Sequence, residues 1–215
     1  MGIDVGADAV WLVGLEVEHD PPAVRLARLL SPVDPDALAR LVADAPAVAI
    51  DAPGGPSRLA HTGDDRLAAK FRAARCSEIA LRRFGMAVPW VTPSEGEPLP
   101  GWMTTGLVVW EACRTAGVEP LETYPHGVFW QLSGGPMFHK QRPAGTRERI
   151  AVLSRHVVLP EGIEMWGHDG IDALAAAYVA WHGARSSVLR LSCDEDLEWA
   201  VHDGSAMWLP PRSGG

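Results

Sequence analysis

The chain has 215 residues, 47% of them hydrophobic and 21% charged, with 22 glycines and 18 prolines. Those proportions exclude a disordered or coiled-coil protein and point to a soluble globular fold rich in tight turns. A formal net charge of −8 gives no whole-surface attraction to nucleic acid or an anionic bilayer, so any such contact needs a local basic patch.

Three strands are predicted first. Gly2 to Val5 is short, and Gly6-Ala7-Asp8 turns the chain into Val10 to Val17, whose Trp11, Val13, Leu15 and Val17 share one face. Asp20-Pro21-Pro22 breaks that run, and Ala23 to Leu30 resumes it; such short connections make neighbouring strands antiparallel. Ser31-Pro32-Val33-Asp34 starts a helix over Pro35 to Ala43. Ala47 to Ile50 is a continuous apolar run ending in Asp51, as expected of a strand covered on both faces.

Asp51 to Gly63 reads as a loop, Asp64 to Arg83 as a basic helix, and Gly85 to Pro100 as a second, Pro-rich loop. Trp102 to Thr115 is a helix closed by Gly117, Leu121 to Tyr124 a short strand, and Gly127 to Leu132 a helical turn. Helices are predicted over Thr146 to Arg155 and Asp169 to His182, the second Ala-rich. Trp199, Val201, Met207 and Trp208 around Asp203-Gly204 indicate a terminal hairpin or ordered tail. No apolar run approaches the roughly 18 residues of a membrane span. Cys76, Cys113 and Cys193 form no CxxC pair, which fits a reduced compartment. The opening Met-Gly-Ile-Asp-Val-Gly has neither a basic nor an apolar signal region, so a cytoplasmic location is expected.

Five acidic residues stand out by the elements that carry them. Asp4 is mid-strand, flanked on its own face by Gly2 and Gly6, which would leave space beside it. Asp51 closes one strand and Glu122 sits near the end of another, where open α/β sheets bind ligands. Asp169 and Asp172 lie three apart on one helix; an N-cap at Asp169 with Asp172 at N3 is the plain structural account of that pair. Several carboxylates arriving at one sheet end repel unless a cation neutralises them, and Mg²⁺ or Mn²⁺ is the hard ion such oxygens suit.

These motifs resemble those of a known group. Gly-Ile-Asp-Val-Gly on a first strand, an acid closing the fourth, and His-Asp-Gly-Ile-Asp-Ala-Leu-Ala-Ala-Ala on a late helix are similar to the RNase H-like fold and its Holliday-junction resolvases. With Ala-Ile-Asp-Ala-Pro-Gly-Gly and Glu-Thr-Tyr-Pro-His added, the chain resembles the predicted-nuclease family known as domain of unknown function 429. The resemblance implies an α/β fold: a five-stranded mixed sheet, its first three strands antiparallel, with helices on both faces. On that basis residues 1–183 form the domain, with a Pro-rich insertion around 52–118, and 184–215 a C-terminal hairpin or tail. It also implies metal-dependent phosphodiester hydrolysis, with Asp4, Asp51 and Asp172 as metal ligands and Asp169 and Glu122 as further catalytic acids. His126 or His168 is then a candidate proton shuttle.

Two basic stretches run against the acidic total: Arg66, Lys70, Arg72, Arg75, Arg82 and Arg83, then Lys140, Arg142, Arg147, Arg149 and Arg155. Lys140 and Arg142, after a Gly-rich break, are the candidates for phosphate contact, and Trp90 and Trp102 for stacking on bases. The expected partner is nucleic acid or a nucleotide, with no membrane. Two other readings stand beside the nuclease: an inactive nucleic-acid or nucleotide binding module of the same fold, and half of an actin-like kinase, which also opens on Gly-x-Asp-x-Gly.

Overall fold

The computed structural model describes residues 1–58, 68–193 and 203–211. Its centre is a five-stranded sheet in the order β3-β2-β1-β4-β5. The strands are β1 (Gly2–Val5), β2 (Val10–Leu15), β3 (Val24–Leu30), β4 (Ala49–Asp51) and β5 (Leu121–Glu122). β1, β2 and β3 are antiparallel neighbours, whereas β4 runs parallel to β1 and β5 parallel to β4. This is the mixed sheet expected of an RNase H-like fold.

Strand alternation divides the core in two. Ile3, Val5, Val10, Leu12 and Ile50 point to one face, where they meet α1 (Pro35–Val42) and α3 (Gly101–Thr115) through Leu38, Val42, Val109 and Cys113. Val13 and Ala49 point to the other, into a core with α6 (Gly167–Gly183). α1 begins where the sequence signals it: Asp34 Oδ1 accepts from the amides of Asp36 and Ala37 at 3.0 and 3.2 Å, and Pro35 occupies the first turn.

α6 is buried from Gly170 to His182, and its alanines let it lie directly on the sheet. A Cβ on Gly2 would stand 1.9 Å from the Ala177 nitrogen and 2.3 Å from the Ala173 oxygen. The glycine before Asp4 therefore does not leave open space, as the sequence reading held; helix backbone fills it. The helix also starts earlier than expected, with Trp166 at the N-cap, so Asp169 lies inside the first turn and Asp172 beyond it. Capping explains neither acid.

Elsewhere the middle of the chain departs from expectation. The basic helix expected over 64–83 is a 3₁₀ turn (Ala69–Phe71) followed by α2 (Cys76–Arg83); residues 64–67 lie outside the described residues. The helical turn near Gly127 is a full helix, α4 (Pro125–Ser133), started by Pro125 and ended by left-handed Gly134. α5 (Pro143–Leu153) starts three residues early, again at a proline. The terminal hairpin pairs β6 (Leu189–Leu191) with β7 (Met207–Leu209); Trp199 and Val201 lie outside the described residues. Trp208 bridges to Thr123, laying this hairpin along the β5 edge. Cys76 and Cys193 are disulfide-bonded across the α2–hairpin contact, where thiols were expected, and Cys113 is free and buried. Among the described residues no helix is long and apolar enough to cross a membrane.

The contact between Gly2 and α6 makes a sharp prediction. Gly2→Ala forces helix and sheet apart and should cost about 3 kcal/mol or more, read by chemical denaturation. A variant as stable as the wild type would show that α6 does not sit this close.

Candidate metal centre

Strand register sets the first two acids side by side. Asp4 and Asp51 are partners in the parallel β1–β4 pair and point to the α6 face. Like charges on adjacent strands are unfavourable, and strand spacing of about 4.8 Å leaves them no room to separate. α6, seated on Gly2, brings Asp172 to the same point. Carboxylate oxygens of Asp4, Asp51 and Asp172 lie within 4.8 Å of one another. Asp4 and Asp172 are buried and Asp51 half-buried.

The electrostatics follow from that crowding. Burial, then Asp51, Asp172 and Asp169, push the Asp4 carboxyl well above its ordinary range. Asp51 is raised to about 7, by desolvation first and Asp172 next, against opposing contributions from Lys140 and a hydrogen bond with Asp4. Asp172 is compensated differently: Arg149 Nη1 donates to its Oδ1 at 2.5 Å and Lys140 Nζ to its Oδ2 at 2.7 Å. Burial alone would lower the Lys140 ammonium, but Asp172, Asp51 and Asp4 outweigh it and hold the charge on. His126 is pushed below its ordinary value by desolvation, then by Arg149, and so is neutral near pH 7.

The remaining expected residues fall outside this group. Glu122 pairs in register with Ile50, which belongs to the α1/α3 face, so its side chain leaves the sheet opposite to Asp51. There Arg75 grips it, Nη2 donating to Oε1 at 2.5 Å and Nη1 to Oε2 at 2.7 Å, while the Gly54 amide donates at 3.0 Å. Asp169 is exposed on the rim, its Oδ1 2.5 Å from His168 Nδ1. Arg142 is exposed just before α5. Trp90 is 68% exposed, whereas Trp102 packs partly against the α3-face core.

Two residues assigned to basic patches turn out to be internal. Arg75 is buried with Glu78, Thr92 and Glu122 and ties α2, the Pro-rich loop and β5 together. Arg149 is buried on Asp172 and lies over the Phe129 ring at 4.6 Å. A signal for Arg149 was available: Gly145, Arg149, Val152 and Leu153 lie on one helical stripe, the buried one. Arg75 precedes its helix in a loop and carried no such periodic signal. Arg66 lies outside the described residues.

The donor set fits a divalent ion. It is all oxygen, and two adjacent carboxyls are driven toward protonation by the very crowding that a doubly charged cation would relieve.

Residues 111–196 match the family described as Protein of unknown function (DUF429). A solved structure, "Thermus thermophilus RuvC structure", aligns over 86% of this chain and 95% of that one, with a TM-score of 0.44 and 17% identity. No curated protein matches the chain.

Two measurements test the electrostatics. Asp51 is near 3.9 unfolded and about 7 folded, so in chelator the folded state holds the extra proton between those values. Wild type should therefore lose stability relative to Asp51→Asn as pH rises from roughly 4 to 8. Melting curves across pH read this, and parallel curves would exclude the crowding. Arg75→Met strands two buried carboxylates and should cost about 3–5 kcal/mol in denaturant titration.

The matched segment runs from within α3 past β6 and includes both Glu-Thr-Tyr-Pro-His and His-Asp-Gly-Ile-Asp, so the resemblance read from those motifs is carried by this part of the chain.

Proposed function

We propose that the protein is a divalent-metal-dependent nuclease that hydrolyses phosphodiester bonds, with Asp4, Asp51 and Asp172 holding Mg²⁺ or Mn²⁺. The observation that carries this reading is the meeting of three carboxylates from β1, β4 and α6 within 4.8 Å at one sheet end. A divalent ion held there would supply activation of water and neutralisation of charge on a phosphate.

The chain's own residues do the rest. Arg149 fixes the Asp172 carboxylate from its buried side, leaving its orientation independent of solvent. Lys140 is half-buried and bound to Asp172 through one oxygen, so its ammonium can turn to a phosphate oxygen at the cluster. His126, neutral near pH 7, is able to take a proton. Arg142, exposed before α5, would contact a backbone phosphate, and Asp169 adds negative charge at the rim. Glu122 serves the reading only as an anchor for the Gly54 loop that follows Asp51.

One observation favours the second reading, a binding module without hydrolysis. Lys140 and Arg149 together supply two positive charges to the cluster, so an internal ammonium already does part of a metal's work. The actin-like kinase reading calls for a second Gly-x-Asp-x-Gly hairpin, and the sequence holds that motif once, at Gly2–Gly6.

Calorimetry with Mn²⁺ and cleavage of labelled oligonucleotides, each with and without EDTA, decide between them. Wild type should bind the ion and cleave only without chelator. Loss of an outer partner of a metal costs roughly 10–100-fold, so Asp4→Asn should lower cleavage by about 100-fold or more. Absence of ion binding at millimolar Mn²⁺ would favour the binding module, and cleavage indifferent to EDTA would remove the metal mechanism.

A further inference from the structure

On the opposite side of the β4–β5 ends from the acid cluster lies a cavity of about 520 Å³, between the Gly54-Gly55 loop, β5 and the terminal hairpin. Its size is within the range of cavities that hold small organic ligands. Arginine dominates its polar lining: Arg58, Arg75, Arg114 and Arg190.

The carboxylates there are mostly committed. Glu122 is occupied by Arg75 and the Gly54 amide. Asp203 accepts from the Cys76 amide at 3.2 Å and from the Ser205 amide and hydroxyl at 2.9 and 2.6 Å. Arg114 is 3.7 Å from Glu119 at the rim. Arg58 and Arg190 are exposed, and neither forms an ion pair among the described residues. Arg190 lies over the half-buried Trp208 indole, 5.9 Å from its centre, so a cation with no carboxylate partner among the described residues and a flat aromatic surface adjoin in one wall.

Gly55 adds an independent observation. Its backbone is not in the left-handed region, and nothing lies within 4 Å of where its Cβ would be. Neither strain nor packing demands a glycine, whereas Gly54 is confined by the Trp110 ring at 3.1 Å. The loop backbone at Gly55 is therefore open to close approach by a ligand.

We propose that this cavity is a second site, separate from the acid cluster, that binds a nucleotide. Arg58 and Arg190 hold its phosphate, for which the guanidinium fork is suited, and its base lies against Trp208. The nucleotide is either free or one unit of a single strand, because both present the same phosphate and ring to this wall.

The full chain is titrated in EDTA with AMP and, separately, with a short single-stranded oligo(dT), by calorimetry. EDTA keeps metal from the acid cluster, so this result is independent of the proposed hydrolysis. Saturable binding is expected, weakened roughly tenfold or more by Arg58→Glu and by Arg190→Glu, and unchanged in Asp4→Asn. Both arginines are exposed, and matching melting curves confirm that the variants fold. Binding of AMP identifies a free-nucleotide site; binding of oligo(dT) without AMP identifies a strand site. Binding of neither probe overturns the proposal, as does affinity that survives both charge reversals or depends on Asp4.

Discussion

The close seating of α6 on β1 is the constraint on which the rest depends. It exists because residue 2 has no side chain and because the facing turns of the helix carry alanines at 173, 176 and 177. Any larger group at that contact would lift the helix off the sheet. With the helix in place, Asp172, next to Ala173, is delivered to the point where β1 and β4 already set Asp4 beside Asp51. Packing of small residues and crowding of charge are thus two consequences of one contact.

The charge is distributed unevenly around that point. Asp172 has two cationic partners, Lys140 and Arg149. Asp4 and Asp51 have no ion-paired cation among the described residues, and crowding and burial displace both toward the protonated form. A buried carboxylate normally finds a partner or gives up its charge. Here the fold retains two that are pushed toward the second by crowding, which the proposed divalent ion would relieve.

The β4–β5 ends separate two chemically distinct surfaces. On the α6 face are the carboxylates; on the α3 face Arg75 binds Glu122, and beyond it Arg58 and Arg190 stand exposed beside Trp208. The division follows from strand alternation, since neighbouring residues such as Ile50 and Asp51 point to opposite faces. A strand end can therefore carry one charge pattern per face with no exchange between them.

Local patterns in the sequence sufficed for the elements whose cause is local. Period-two alternation located β2 and β3, Asp34-Pro35 the start of α1, and Ala-rich spacing the body of α6. Prolines at 125 and 143 start α4 and α5, a local signal that apolar periodicity does not carry. The acids Asp4, Asp51 and Asp172 were recognisable as candidates because each sits on a predicted element. Whether they meet, and that Glu122 does not join them, depended on the β4–β5 register and on how closely α6 approaches β1. Those are relations between segments far apart in the chain, set by packing that no local propensity encodes. The fates of Arg75 and Arg149 were decided the same way: a charged side chain reads as solvated until the fold supplies the buried carboxylate that holds it.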